Sequence, residues 1–123
     1  MSALATTNIL DKITSKKEEN LPRIINGYKE KYKEALKSNK NFYQTLAEPE
    51  LSIIGEIKMA SPSKGLIRRD FNHLEIAKLY EDHVDALSVL TEEDFFKGSL
   101  DYLYDINKVS KLPTLCKDFI IDS

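Results

Sequence analysis

The sequence predicts an α/β fold in which a helical N-terminal segment precedes a parallel sheet. Residues 1–50 carry apolar side chains at helical spacing, whereas residues 51–123 alternate short strand-like runs with helical stretches. The strand-like runs cover residues 51–58, 84–90 and 113–120. Strands that alternate with helices in this way are typical of a parallel sheet with crossover helices. We therefore divide the chain at residue 50, into a helical extension and a strand–helix part.

The helical extension is predicted to contain a long helical stretch followed by a short helix. Residues 9–36 carry apolar side chains at helical spacing, with candidate N-caps at residues 6–8. Pro22 lies within this stretch, so either a second helix begins there or one helix kinks. Residues 38–41 break the pattern, and a short helix that carries Phe42 follows.

Cap and turn residues mark the element boundaries of the strand–helix part. A loop with Pro62 and Gly65 follows the first strand. Asn72, with Glu75 three residues later, is the predicted N-cap of the first crossover helix. Ser99 is the predicted N-cap of the second. The expected order is therefore strand, helix, strand, helix, strand.

The composition excludes several classes of protein. Hydrophobic residues make up 41% of the chain, charged residues make up 31%, and the formal net charge is −2. A nucleic-acid-binding protein would carry an excess of basic residues on one face, so we expect no nucleic-acid partner. The N-terminus has no apolar signal-peptide core, and no apolar run reaches the roughly 18 residues of a membrane span, so we expect no membrane partner. Cys116 is the only cysteine, which favours a reducing, cytoplasmic setting.

Glu56 and Lys58 are the first candidate site residues. Residues two apart in a strand share a face, so Ile54, Glu56 and Lys58 point one way and Gly55 and Ile57 the other. A central parallel strand is normally almost entirely apolar, and ligands of α/β folds bind at the C-terminal ends of the strands. An exposed strand end with solvated charges gives the same pattern, so these residues alone leave both interpretations open.

Residues 61–65 (SPSKG) form the second candidate, directly after the first strand. Hydroxyl groups, a lysine and a flexible glycine in such a loop can hold an anion through side chains and backbone N–H groups. The spacing is not that of a P-loop. An ordinary polar turn has the same composition, so the loop alone does not decide between the two.

Lys117 is the third candidate. Leu115, Lys117 and Phe119 share one face of the third strand, and Cys116 and Asp118 share the other. A lysine buried on the inner face of a closed sheet would be a candidate proton donor or acceptor. The alternative is an edge strand whose lysine faces water.

The remaining candidate ligands and nucleophiles do not predict a site. His73 and His83 have no partner at a metal-ligand spacing, and both are interpreted as surface residues. Cys116 lies on the face opposite Lys117, which favours a packing role over a nucleophilic one. We therefore expect no metal site.

Three segments of the chain closely resemble the signatures of indole-3-glycerol phosphate synthases. They are residues 55–67 (GEIKMASPSKGLI), 86–98 (ALSVLTEEDFFKG) and 113–122 (PTLCKDFIID), and they stand at the expected distances. The resemblance covers essentially the whole chain, including the helical extension. It implies the N-terminal portion of a (β/α)8 TIM barrel: a helical extension, then three strands and two helices, ending before the barrel closes.

The resemblance also implies an activity and a role for each candidate residue. The family closes the ring of 1-(2-carboxyphenylamino)-1-deoxyribulose 5-phosphate to indole-3-glycerol phosphate, with loss of CO2 and water, in tryptophan biosynthesis. It uses no metal and no cofactor. On the matching positions, Lys117 would be the general acid and Glu56 a supporting acid–base or orienting group. The residues that contact the phosphorylated, anthranilate-derived substrate would be Lys58, Ser61, Phe96 and Phe119.

The chain departs from the family pattern in two places. Residues 81–85 (EDHVD) replace a stretch in which relatives usually carry Gly and Ala. The chain also ends at Ser123, before the remaining βα units that would bring a second catalytic Glu, an Asn and the phosphate-binding loops. We therefore expect the chain alone to be inactive, and to associate with itself or with the missing C-terminal half. The alternative is a stand-alone, non-catalytic α/β half-barrel that forms oligomers.

Overall fold

The computed structural model describes residues 8–33, 40–48, 50–67 and 69–122. The predicted α/β class is confirmed. The helices are α1 (Ile9–Lys31), α2 (Phe42–Ala47), α3 (His73–Tyr80) and α4 (Leu100–Val109). The strands are β1 (Ile54–Ile57), β2 (Ala60–Ser61), β3 (Gly65–Leu66), β4 (Ala86–Leu90) and β5 (Thr114–Lys117).

The chain forms two compact units. One contains Met1–Lys37 and Phe119–Ser123, and the other contains Ser38–Asp118. Helix α1 belongs to the first unit, whereas all five strands and helices α2 to α4 belong to the second. The predicted domain boundary at residue 50 stays a prediction.

Helix α1 runs through Pro22. The side chain of Asn8, one of the candidate caps, accepts a hydrogen bond from the Asp11 N–H at 2.8 Å. Pro22 lies inside the helix, so the alternative in which a second helix begins at this residue is wrong. A proline typically costs a helix interior about 3 kcal/mol, but the apolar spacing continues on both sides of it, and Ile13 is buried.

Helix α2 begins at Phe42, as predicted. Its N-cap is Asn41, whose side chain accepts a hydrogen bond from the Gln44 N–H at 2.9 Å. The predicted break at residues 38–41 lies partly outside the described residues, so only its end is seen.

A three-stranded parallel sheet forms the centre of the second unit, in the order β1-β4-β5. The predicted alternation of strands and crossover helices is confirmed. Helices α3 and α4 pack on one face of this sheet, where the buried core consists of Ile57, Ala77, Leu87, Val89 and Ile106. Full burial of a large aliphatic side chain typically stabilises a fold by roughly 1.5–3 kcal/mol, so this face holds the unit together.

The side chains of β1 alternate between the two faces of the sheet, as the two-residue period predicts. Gly55 and Ile57 are buried, whereas Ile54 and Glu56 are exposed. A Cβ added at Gly55 would lie 3.1 Å from the ring of Tyr80, so α3 packs directly on this side of the strand. Glu56 therefore points to the face opposite the helices.

The loop after β1 contains a small antiparallel hairpin that the sequence pattern does not reveal. Strands β2 and β3 pair Ala60 with Leu66 and Ser61 with Gly65. Gly65 has a φ of 64°, a left-handed conformation that glycine adopts without strain. Strand β1 is shorter than the predicted run 51–58, by three residues at its start and one at its end. Strands of two residues are too short to show an alternating pattern.

Both predicted caps of the crossover helices are confirmed. The side chain of Asn72 accepts hydrogen bonds from the N–H groups of Leu74 and Glu75, both at 3.1 Å. Ser99 Oγ accepts one from the Asp101 N–H at 3.0 Å. The two helices therefore begin at the positions that their predicted N-caps indicated.

His73 is half-buried, so its interpretation as a surface residue is wrong. Its Nε2 lies 2.9 Å from Asp105 Oδ2, and its ring centroid lies 4.5 Å from that of Tyr102. The reason is that α3 and α4 lie side by side, which places the first turn of α3 against α4. His83 is exposed, as predicted.

Candidate active site

The carboxyl ends of β1, β4 and β5, with the loops that follow them, hold five of the six predicted site residues. These are Glu56, Lys58, Ser61, Phe96 and Lys117. The sixth, Phe119, lies in the unit that contains α1 and is half-buried. Parallel strands end at the same edge of a sheet, and this edge is where ligands of α/β folds bind.

Glu56 and Lys58 form an ion pair at the end of β1. Lys58 Nζ lies 3.4 Å from Glu56 Oε1, and the two side chains are 36% and 38% exposed. Ion pairs with this degree of exposure contribute at most about 1 kcal/mol to stability. The lysine can therefore exchange its partner for a substrate anion at small cost.

Ser88 joins this pair from the neighbouring strand. It is opposite Glu56 in the sheet register, and its hydroxyl donates a hydrogen bond to Glu56 Oε2 at 3.4 Å. Ser88 is 5% exposed. It was not predicted, although a lone serine within the apolar run of β4 is a signal that could have found it.

Lys117 ends β5 on the same face of the sheet as Glu56. It is paired in register with Leu90, which is two residues from Ser88 and so shares its face. Two strand spacings separate β1 from β5, or roughly 10 Å. Lys117 is exposed and β5 is an outer strand of the described sheet, so of the two alternatives left open by the sequence the structure shows a lysine that faces water.

Hydrogen bonds from Thr91 hold the ends of β4 and β5 together beside Lys117. The Thr91 hydroxyl donates to Asp118 Oδ2 at 2.7 Å and lies 3.4 Å from Cys116 Sγ. The Thr91 N–H donates to the Lys117 carbonyl oxygen at 3.0 Å. The backbone of Lys117 is therefore fixed on one side, and Cys116 takes part in packing rather than facing a ligand.

The loop after β4 is folded tightly around Glu92. This residue is 2% exposed, and its carboxylate accepts hydrogen bonds from three backbone N–H groups within the same loop. A Cβ at Gly98 would collide with the carbonyl group of Leu90. The loop therefore approaches β4 so closely at this position that only glycine fits. Lys97, just before it, has a φ of 56°.

The hairpin that carries Ser61 lies against the loop that carries Phe96. The Ala60 N–H donates a hydrogen bond to the Phe96 carbonyl oxygen at 3.2 Å. Ser61 is buried, and its hydroxyl accepts one from the Lys64 N–H at 3.3 Å. These bonds bring the segments after β1 and β4 together at one end of the sheet.

The described part of this edge offers cations, a carboxylate, hydroxyl groups and an aromatic side chain. Such a set can bind an anionic substrate and transfer protons. Among the described residues, no three His, Cys, Asp or Glu side chains are grouped to hold a metal ion. None of the helices described is both long and apolar enough to span a membrane.

Comparison with known proteins gives one consistent match. The sequence model of the family described as indole-3-glycerol phosphate synthase matches residues 10–123. The chain is 57% identical over 83 residues to the indole-3-glycerol phosphate synthase of Thermoanaerobacter sp. (strain X514), which covers 67% of this chain and 32% of that protein.

Two further relatives extend this similarity. The indole-3-glycerol phosphate synthase of Acetivibrio thermocellus is 48% identical over 122 residues, which covers 93% of this chain and 47% of that protein. The tryptophan biosynthesis protein TrpCF of Vibrio parahaemolyticus is 48% identical over 88 residues, which covers 72% of this chain and 18% of that protein. The chain thus spans less than half the length of each of these relatives.

Proposed function

Because the chain belongs to the indole-3-glycerol phosphate synthase family, we propose that it supplies part of the active site of that enzyme. The reaction is the ring closure of 1-(2-carboxyphenylamino)-1-deoxyribulose 5-phosphate to indole-3-glycerol phosphate, a carbon–carbon lyase step in tryptophan biosynthesis. One observation supports this proposal most strongly. The three signature segments meet at one end of a parallel sheet, with Glu56 and Lys117 on the same face.

Lys117 is the general acid in this proposal. When the aromatic ring attacks the carbonyl carbon, negative charge develops on the carbonyl oxygen, and the departure of that oxygen as water consumes protons. A proton donor is therefore needed beside the reacting carbon. Lys117 lies at the end of β5, on the face of the sheet opposite α3 and α4, and Glu56 on β1 is placed to orient the substrate or to exchange protons with it.

The substrate carries a phosphate, a carboxylate and an aromatic ring. Lys58 is the cation nearest to Glu56 and binds one of the anionic groups, with the hydroxyl of Ser61 in the adjoining hairpin. Phe96 and Phe119 form apolar walls for the ring. Loss of the carboxylate as CO2 restores the aromatic ring, and neither metal nor cofactor is required by this chemistry.

Further strands complete the barrel in this proposal. Both outer strands of the described sheet, β1 and β5, have only one neighbour. Beside β1 an open cavity of about 420 Å³ is lined by Glu56 and Lys58 and by apolar side chains that include Ile67 and Leu79, which are 48% and 64% exposed. An open edge with exposed apolar side chains favours association, either with a C-terminal half of the barrel or with a second copy.

The cytoplasmic location expected from the single cysteine belongs to the same proposal.

The test is an assay of the full-length gene product for formation of indole-3-glycerol phosphate. Glu56→Gln keeps the size of the side chain and removes its charge, so we expect a large loss of activity. Glu75→Gln, an exposed carboxylate on α3, is the matched control and should retain it. A stable full-length protein that forms no product would reject the proposal in favour of the non-catalytic oligomer.

A further inference from the structure

Glu92 is the most deeply buried carboxylate among the described residues, at 2% exposure. Its Oε1 accepts a hydrogen bond from the Asp94 N–H at 2.9 Å. Its Oε2 accepts two, from the Phe95 N–H at 2.8 Å and the Phe96 N–H at 2.9 Å. A buried ionised carboxylate is costly unless it is hydrogen-bonded, and here three donors of one loop point at it.

These bonds fix the path of the loop rather than the end of a helix. Helix α4 begins only at Leu100, with Ser99 as its cap. The Gly98 N–H also donates to the Glu92 carbonyl oxygen at 2.7 Å. Glu92 therefore holds the loop at two points: its side chain binds the N–H groups of residues 94–96, and its backbone carbonyl oxygen binds that of Gly98.

The loop in turn holds the hairpin after β1. Phe96 donates its N–H to Glu92, and its carbonyl oxygen accepts the hydrogen bond from the Ala60 N–H at 3.2 Å. Ala60 pairs in the hairpin beside Ser61. A chain of hydrogen bonds thus runs from one buried carboxylate to the two segments that carry Phe96 and Ser61.

The geometry points to Glu92 as a positioning residue for substrate binding, which acts through Phe96 and Ser61 and does not touch the substrate. This inference rests on the proposed function, because that function assigns the substrate contacts to those two residues. A carboxylate suits the position because it only accepts hydrogen bonds. A glutamine would turn an NH2 group toward at least one backbone N–H, so one part of the loop would be released.

The test uses Glu92→Gln and Glu92→Asp in the full-length gene product. The control is Asp85→Asn, at the other end of β4, where the carboxylate accepts one hydrogen bond from the Ile53 N–H at 2.8 Å. Steady-state kinetics are measured well below the melting temperature of each variant, so that every molecule is folded. Hydrogen exchange is followed at the amides of residues 94–96 and of Ala60.

We expect Glu92→Gln to lower kcat/KM by about 10²-fold, mainly through a higher KM, since small misplacements of binding groups can have effects of this size. The amides of residues 94–96 and of Ala60 should exchange faster. Glu92→Asp keeps the charge on a shorter arm and should lie between Gln and wild type in both measurements. Asp85→Asn should match wild type in both.

Two results would overturn the inference. One is an unchanged kcat/KM in folded Glu92→Gln, which would leave Glu92 a purely structural role. The other is unchanged exchange at residues 94–96 and Ala60. If Glu92→Gln does not fold, Glu92→Asp decides instead. Wild-type kinetics in Glu92→Asp, together with faster exchange at these amides, would also overturn the inference. If the wild-type protein forms no indole-3-glycerol phosphate, the proposed function fails, while the exchange measurement still decides whether Glu92 holds the loop and the hairpin.

Discussion

Two lysines on the same face of the sheet have different surroundings, and this difference separates their roles. Lys58 is paired with Glu56 at 3.4 Å, as suits a cation that exchanges one anion for another. Lys117 is held by its backbone, through the Thr91 N–H, at the end of β5. The side-chain direction of Lys117 follows from the two-residue period of β5, so it could be predicted from the sequence.

Replacing each lysine by alanine should affect different kinetic constants of the full-length enzyme. Lys117→Ala removes the proposed general acid, so kcat should fall by about 10²- to 10⁴-fold. Lys58→Ala removes a proposed substrate contact that is made in both ground and transition states, so a higher KM should account for much of its effect. Lys111→Ala, which keeps its backbone hydrogen bond to Glu81, is the control. Steady-state kinetics with the opposite pattern for Lys117 and Lys58 would overturn these roles.

The supporting residues Ser88, Thr91 and Glu92 were not predicted. In the sequence Thr91 and Glu92 look like ordinary polar residues after a strand, and only Ser88 stands out, as a lone serine within the apolar run of β4. Their importance depends on what the folded backbone places beside them, such as the three N–H groups that point at Glu92. A strand period predicts the face on which a side chain lies, but it does not predict the path of a loop.

Gly98 is a residue at which the loop path can be tested directly. Gly98→Ala should lower the free energy of unfolding by about 1–3 kcal/mol or more, because its Cβ would collide with the backbone of Leu90. Gly27→Ala is the control, since its Cβ would meet no atom within 4 Å. In a helix interior this change should instead stabilise by about 0.5–1 kcal/mol. Urea unfolding curves in which Gly98→Ala is neutral would contradict the loop path described.

At the scale of elements, hydrophobic periodicity and helix caps predicted the helices and the parallel strands, whereas loop composition did not predict the structure of the loops. The crossover helices begin at Asn72 and Ser99 because these side chains satisfy free N–H groups of the first turn. The hairpin of β2 and β3 could not be predicted, since two-residue strands carry no period. Pro22 left two alternatives open, and the structure shows one helix that continues through this residue.

Lys40 stabilises the C-terminal end of helix α4 from outside that helix. Its Nζ donates to the carbonyl oxygen of Asn107 at 2.8 Å and to that of Ser110. Cations are favourable at a helix C-terminus. Replacing Lys40 by methionine leaves these carbonyl oxygens without that donor, so the free energy of unfolding should fall by about 1–3 kcal/mol at neutral pH.

The same contact gives Lys40 a pH dependence with a defined sign. Burial lowers the pKa of Lys40 below its ordinary value of 10.5, against a smaller opposing effect of the negative charge on Glu81. Between the lowered pKa and 10.5 the unfolded chain binds more protons than the folded one, so this group makes stability rise with pH. The stability difference between wild type and Lys40→Met should therefore grow as pH rises through this window. Urea unfolding in which the difference shrinks would contradict it.

At the scale of the whole molecule, the described sheet has two outer strands, β1 and β5, each with a neighbour on one side only. Helices α3 and α4 cover the core side, while Glu56, Ser88 and Lys117 lie on the other face. The chain spans less than half the length of the relatives it matches, and we propose that further strands pair with β1 and β5. The sequence pattern alone predicted the order of the elements, whereas a closed barrel was implied only by the family resemblance and stays a prediction.

The 123-residue chain produced alone should therefore associate. Its monomer mass is 14.1 kDa, and light scattering at high concentration should give a larger value, since open strand edges and exposed apolar side chains pair with any available partner. Charged substitutions at Ile67 and Leu79, the exposed apolar side chains beside β1, should lower this mass. A single monomeric species in the unsubstituted chain would contradict the prediction.

The most direct test of the central claim compares synthase activity in three samples: the full-length gene product, residues 1–123 alone, and residues 1–123 mixed with the separately produced remainder. Conversion of 1-(2-carboxyphenylamino)-1-deoxyribulose 5-phosphate is measured as release of CO2 and formation of indole-3-glycerol phosphate. We predict turnover by the full-length protein, none above background by residues 1–123, and partial recovery in the mixture. Positioning by the complete site can be worth roughly 7–11 kcal/mol of barrier, which half a site does not provide. Absence of turnover by a folded full-length protein, or substantial turnover by residues 1–123 alone, would contradict the claim.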